Sequence, residues 1–144
     1  MANDNWVGFA KSPKPDPNLE RLRVEESFEF SLAAEQVFQI VTSAAGLSSW
    51  LQKTEKSEVC TSGKIKFLEV AEEFERAVFS LVDIGRRVVI NSEVFGEVEL
   101  VFEKKRSRLS AAFTKMVLAA ERQDFEQRFL KCINDLKTQV GSKS

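Results

Sequence analysis

The stretch that decides the fold is AAERQDFEQRFLKCINDLKTQV, residues 119–140. Phe125, Phe129, Ile133, Leu136 and Val140 recur in it at steps of three or four residues. Glu121, Asp124, Glu126, Arg128, Lys131 and Lys137 fill the other faces. One apolar stripe beside charged faces predicts an amphipathic helix lying on a surface with its phenylalanines inward. Its acidic residues come early and its basic residues late, as the helix macrodipole favours, and Gly141 is a natural stop. No other segment of the chain is both long and amphipathic, so any sheet built upstream must bury its apolar face against this helix.

Upstream, the period changes from helical to two. Leu22, Val24, Phe28 and Phe30 alternate with Arg23, Glu25 and Glu29, which predicts a half-buried first strand. Ser31 offers an N-cap for a short helix over 33–42, with Val37, Phe38, Ile40 and Val41 at helical spacing. Ser43 offers a cap for a second helix through Ala44, Leu47, Trp50 and Leu51, shortened by Gly46. Six strands follow, over 56–61, Lys64 to Val70, Phe74 to Val82, Arg87 to Asn91, Gly96 to Glu103 and Arg108 to Val117. Short strands joined by short polar turns imply antiparallel hairpins. The expected architecture is α+β, a seven-stranded curved antiparallel sheet wrapped on the long C-terminal helix, with two short helices after the first strand. The expected organisation is a flexible arm over 1–20, in which Pro13, Pro15 and Pro17 block regular structure, one domain over 21–140, and a tail over 141–144. Trp6 and Phe9 are the arm's apolar residues.

Composition narrows the function classes. The 144 residues carry 21 basic and 22 acidic side chains, a balance unlike the basic excess of a nucleic-acid module. No apolar run reaches the roughly 18 residues that span a bilayer, so no membrane insertion is expected. Met1 to Lys14 lacks the basic start and apolar run of a secretory signal, and a cytoplasmic location is expected by default. The chain has no histidine, which removes Ser-His-Asp and Cys-His triads, the common zinc sites and the usual neutral-pH base. Cys60 and Cys132 belong to no CxxC pair and read as reduced thiols. No catalytic residue, metal ligand or cofactor is expected.

The order of elements, together with FEFSLAAEQVFQIVTSAAGLSSWL over residues 28–51, resembles the START-like helix-grip (SRPBCC) superfamily, nearest the branch named after the heat-shock chaperone ATPase activator. The matching positions are Ala34, Glu35, Val37, Phe38, Gly46, Leu47 and Trp50. Gly63 stands alone where a Gly-Gly is frequent, and a His-rich end of the last strand is missing. The resemblance implies a cavity between sheet and terminal helix, used by family members for apolar molecules or replaced by binding to protein partners. The expected function is therefore a non-catalytic module holding a small apolar molecule. The alternative is a protein-interaction domain of chaperone-cofactor type whose cavity is filled or vestigial.

Candidate lining residues are Trp50, Phe67, Phe79, Leu100, Phe113, Phe125 and Phe129, with Glu26 and Lys115 as charges that interrupt inward stripes. Trp50 reads first as an anchor of the helix pair and second as a pocket wall, and Phe125 and Phe129 read as ordinary core unless the sheet below is too far away to fill the gap. Glu69 follows Ile65 and Phe67 and reads as a rim charge or a cavity charge. If Phe28 lies opposite Phe113, antiparallel pairing brings Glu26 to Lys115 and predicts an ion pair on the concave face. Lys104, Lys105, Arg106 and Arg108 read as a solvated turn, and Glu69, Glu72, Glu73 and Glu75 as a charged loop.

Overall fold

Hydrophobic alternation and one amphipathic helix produce the expected layers in the computed structural model, which describes residues 18–142. The expected arm up to Pro17, with Trp6 and Phe9, lies outside the described residues. The elements run β1 (Leu19–Glu29), α1 (Ala34–Thr42), α2 (Ala44–Trp50), β2 (Thr54–Ser57), β3 (Lys64–Phe67), β4 (Arg76–Asp83), β5 (Arg87–Ser92), β6 (Gly96–Glu103), β7 (Arg108–Leu118) and α3 (Arg122–Gln139). The seven strands form one antiparallel sheet in the order β1-β7-β6-β5-β4-β3-β2. This is the α+β arrangement anticipated: the sheet curves around α3, and α1 and α2 follow the first strand. No helix of the described residues is long and apolar enough to cross a membrane.

Several boundaries differ from the expectation, each for a local reason. β3 stops at Phe67, because Leu68 donates its N–H to the Lys53 carbonyl (2.7 Å) and Glu69 takes φ +61°. Phe74 sits in a 3₁₀ turn, Glu72–Phe74, and not in β4. Two further 3₁₀ turns follow, Lys104–Arg106 between β6 and β7 and Ala119–Glu121 before α3. Ser31 does not cap α1. The N-cap is Ala33, which has no capping side chain, and the Gln36 amide oxygen reaches back to accept from the Ala33 N–H (3.2 Å). Ser31 instead ties the first strand to the end of α3, its N–H donating to the Val140 carbonyl (3.1 Å).

Ser43 does cap α2, its hydroxyl accepting from the Gly46 N–H (3.0 Å). Gly46 is there for contact and not for freedom, since a Cβ at this position would fall 2.3 Å from the Ile40 carbonyl oxygen. That close approach lets the Trp50 indole donate to the same Ile40 carbonyl (3.0 Å). With Val37, Val41 and Leu47 fully buried, the two short helices form one wedge closing an end of the sheet.

The β1–β7 register corrects the predicted ion pair. Phe28 lies opposite Leu109 and Phe113 opposite Val24, so the pairing is displaced by four residues from the expected one. Glu26 faces Ala111, and Lys115 faces Leu22. A displacement by an even number leaves every side chain on its expected face, so alternation alone cannot detect it. The observed register pairs all eleven residues of β1 with all eleven of β7. Glu26 finds its cation on α3 instead, where Lys137 donates to its carboxylate and also stands over the Phe28 ring. Lys137 is therefore turned toward the sheet, not toward water as its place in the helix pattern implied.

Candidate functional site

The helix-facing side of the sheet is filled near its middle by a chain of rings. Phe67 meets Phe95 edge-on (5.8 Å between centroids), Phe95 meets Phe113 (6.2 Å), and Phe113 stacks on Phe129 of α3 at 4.7 Å and 17°. Phe67, Phe79, Leu100, Phe113 and Phe129 are all fully buried, with Ile133 and Leu136 continuing the helix side. At the stack the sheet and helix touch ring to ring, and no space for a ligand remains between those two side chains.

The stripe on α3 changes character one turn toward its N-terminus. Phe125 is half-buried, tilted against Phe129 (5.9 Å), and lies under two cations, Lys115 (5.3 Å to the ring centroid) and Arg128 (5.6 Å). Two grooves open here, at the end of the grip where the β3–β4 and β5–β6 connections approach α3. The first, of about 720 Å³, runs between α2 and α3 and is lined by Trp50, Leu51, Gln52, Val94, Phe95 and Cys132, with Lys53, Glu69, Arg128, Lys131 and Asp135 around it. The second, of about 570 Å³, is lined by Leu19, Val70, Phe74, Val94, Met116, Leu118 and Phe125, with Glu93, Lys115, Glu121 and Arg128 as its charges. Val70, Val94 and Arg128 belong to both, so the grooves are neighbours across one ridge.

Local chemistry explains how this mouth is held open. Lys115 donates to the Glu93 carbonyl (2.8 Å), which fixes the β5–β6 turn beside β7. The Ser92 hydroxyl accepts from the Phe95 N–H (3.0 Å), turning the Phe95 ring inward. Gln52 donates to the Leu68 carbonyl (2.5 Å), and Lys53 pairs with Glu69 (3.0 Å), so the β3–β4 connection is tied to the end of α2. Glu69 is thus a rim charge. The groove hydroxyls are committed to helix carbonyls, Ser48 to Ala44 (2.8 Å) and Ser49 to Gly46 (2.6 Å). Cys132 is buried, and desolvation, with the nearby Asp135 carboxylate adding to it, pushes its thiol up to about 12. It stays protonated at neutral pH and behaves as a small apolar side chain. The hydrogen bond from Lys131 to Asp135 (3.0 Å) raises the Lys131 ammonium above its ordinary value. Apolar floors with charged rims can hold and orient a molecule.

The sequence-derived candidates therefore divide. Trp50, Phe125 and Lys115 line the grooves. Phe67, Phe113 and Phe129 support them from below through the ring chain. Phe79, Leu100 and Glu26 line neither groove, and Glu26 serves the β1–α3 junction. Val70, Val94, Phe95 and Arg128 were not singled out from the sequence. Val94 and Phe95 lie in a segment readable as a turn, and the signal was two adjacent apolar residues between Glu93 and Gly96.

No family model matches the chain, and no curated protein matches it in sequence. Solved structures do match in shape. A conserved protein of unknown function from Enterococcus faecalis has a TM-score of 0.64 and 15% identity, over 88% of this chain and 74% of that one. A Bacillus halodurans protein solved in solution has a TM-score of 0.66 and 12% identity, over 83% and 98%. The Aha1 dimer from Colwellia psychrerythraea has a TM-score of 0.60 and 14% identity, over 83% and 96%. At these identities the likeness establishes a shared helix-grip-like fold and nothing about activity.

Proposed function

We propose that the protein is a non-catalytic binding module that takes a small apolar molecule at the open end of the grip, on the Val70–Val94–Phe95–Phe125 surface. The observation that carries this reading is the pair of adjoining grooves floored by these side chains and rimmed by Lys115 and Arg128. Their volumes fall in the range of roughly 300–1,000 Å³ typical of small-molecule sites. The resemblance of residues 28–51 to the SRPBCC superfamily supports the same class of function. The placement differs from a deep cavity, because the Phe113–Phe129 stack fills the space between sheet and helix at that level. The rim carries both cations (Lys115, Arg128) and carboxylates (Glu93, Glu121), which favours a ligand with a polar, hydrogen-bonding end beside its apolar body.

A second reading, a protein-interaction domain of chaperone-cofactor type, is favoured by that same filled stack and by the fold shared with the Aha1 dimer. Titration with an apolar fluorescent probe separates the two. Saturable one-to-one binding to native protein, abolished by Val94→Trp with the melting temperature preserved, is the expected result. Probe uptake only under partly denaturing conditions contradicts the binding reading and leaves the interaction reading standing.

A further inference from the structure

Three hairpin turns stand side by side at the end of the sheet opposite the grooves. The β6–β7 turn carries Lys104, Lys105 and Arg106, the β4–β5 turn carries Ile84 and Arg86, and the β2–β3 turn carries Val59. They are tied to one another. The Phe102 N–H donates to the Arg86 carbonyl (2.8 Å), and the Val82 N–H donates to the Thr61 hydroxyl (2.9 Å). Gly85 takes φ +74°, and a Cβ there would fall 2.8 Å from the Lys104 ammonium, so the lysine lies directly over the neighbouring turn. The sequence shows one basic run; the sheet brings Arg86 and Arg87 to it from a second hairpin. Arg87 is paired with Glu99 (2.6 Å) and Arg106 with Glu103 (3.2 Å). Arg86, Lys104 and Lys105 are exposed and make no ion pair among the described residues. Ile84, at the tip between them, is 77% exposed, more than any other large apolar residue described, and Val59 is 43% exposed.

We propose that this end is a peripheral docking surface for an anionic lipid bilayer. A protruding apolar tip with three unpaired cations beside it, outnumbering the adjoining Asp83, suits a soft surface of negative headgroups, into which Ile84 can sink while Arg86, Lys104 and Lys105 meet phosphates. The three turns project as hairpin tips at the end of the sheet, and the basic patch is narrower than a nucleic-acid footprint. Docking here leaves the grooves facing away from the membrane.

The test is co-sedimentation of the whole chain with vesicles of phosphatidylcholine alone or with a quarter phosphatidylserine, at low and at high salt. The expected result is partition onto the phosphatidylserine vesicles only, weakened by salt. The pair Lys104→Glu and Lys105→Glu lowers it by about tenfold or more. Ile84→Asp lowers it several-fold, with the salt dependence retained. These turns are exposed, so the melting temperature is expected to hold; if the lysine pair melts early, Arg86→Glu makes the same kind of charge change. Absence of partition onto phosphatidylserine at low salt overturns the proposal, as does partition indifferent to every variant. Binding of polyglutamate or duplex DNA without vesicle binding also overturns it, by giving the basic end another kind of partner.

Discussion

Phe125 and Phe129 are one turn apart on the same stripe of the same helix, and the sheet treats them in opposite ways. Phe129 is fully buried and stacked on Phe113. Phe125 is half-buried, carries two cations on its ring and lines a groove. The cause lies across the gap. Opposite Phe129 the sheet presents a ring, whereas beside Phe125 it presents Lys115, whose ammonium is held by the Glu93 carbonyl. An apolar stripe thus says which face of a helix is turned inward, and the opposing residue decides whether that position becomes core or site.

The largest expected effect comes from removing the buried half of the comparison. Deleting residues 119–144 exposes the sheet and removes Phe129, Ile133 and Leu136, each contributing roughly 1.5–3 kcal/mol by burial. Domains are stable by only about 5–15 kcal/mol, so the truncated chain is expected to lose its cooperative thermal transition. A retained transition would mean that the helix is peripheral. Phe129→Ala alone is expected to cost about 3–5 kcal/mol by denaturant unfolding, while Phe125→Ala costs well under half of that and mainly weakens probe binding. Equal costs at the two positions would erase the distinction between core and mouth.

The β1–α3 junction gives a smaller effect. A double-mutant cycle of Glu26→Gln with Lys137→Met is expected to show a coupling of about 1 kcal/mol, as for a pair that still reaches solvent. The cycle of Glu26→Gln with Lys115→Met is expected to show none, because the two lie about 13 Å apart along the strand direction. The reverse pattern would restore the register first expected from alternation.

Cys132 gives a pH dependence of its own. Its folded pKa, about 12, is above the ordinary 9.0, so the folded state holds the proton more tightly than the unfolded chain. The contribution is fully present below about pH 9 and is lost as pH rises toward 12, at up to about 1.4 kcal/mol per unit in that window. Unfolding free energies at pH 8 and pH 10 are expected to differ by less in Cys132→Ala than in the parent chain. In the native protein exposed Cys60 is expected to react with a maleimide well before Cys132.

What could be read from the sequence follows the same division between pattern and partner. Period two in β1, β6 and β7 and period 3.6 in α3 carry the inward faces, so the layers and the order of elements were legible. Ser43, which caps α2 through its own side chain, was legible too. Register was not, since any even displacement of β1 keeps the same alternation. The β5–β6 turn hid Phe95 for a related reason. A fully buried ring in a connection is a property of what the turn folds onto, and that partner, Phe67, is far away in the chain. Glu26 was recognised as an inward charge, but its cation came from the helix and not from the neighbouring strand.

The central claim is that binding occurs at the mouth and not inside the grip. Methyl-resolved NMR during titration with an amphiphilic naphthalene-sulfonate probe, an apolar ring system with one anionic end, tests it most directly. The methyl signals of Val70, Val94, Leu19 and Leu118 are expected to shift with saturation, while those of Val98, Leu100 and Ile90 stay in place. Saturable shifts at Leu100 and Val98, with the groove methyls unmoved, would put the probe in the interior and contradict the account.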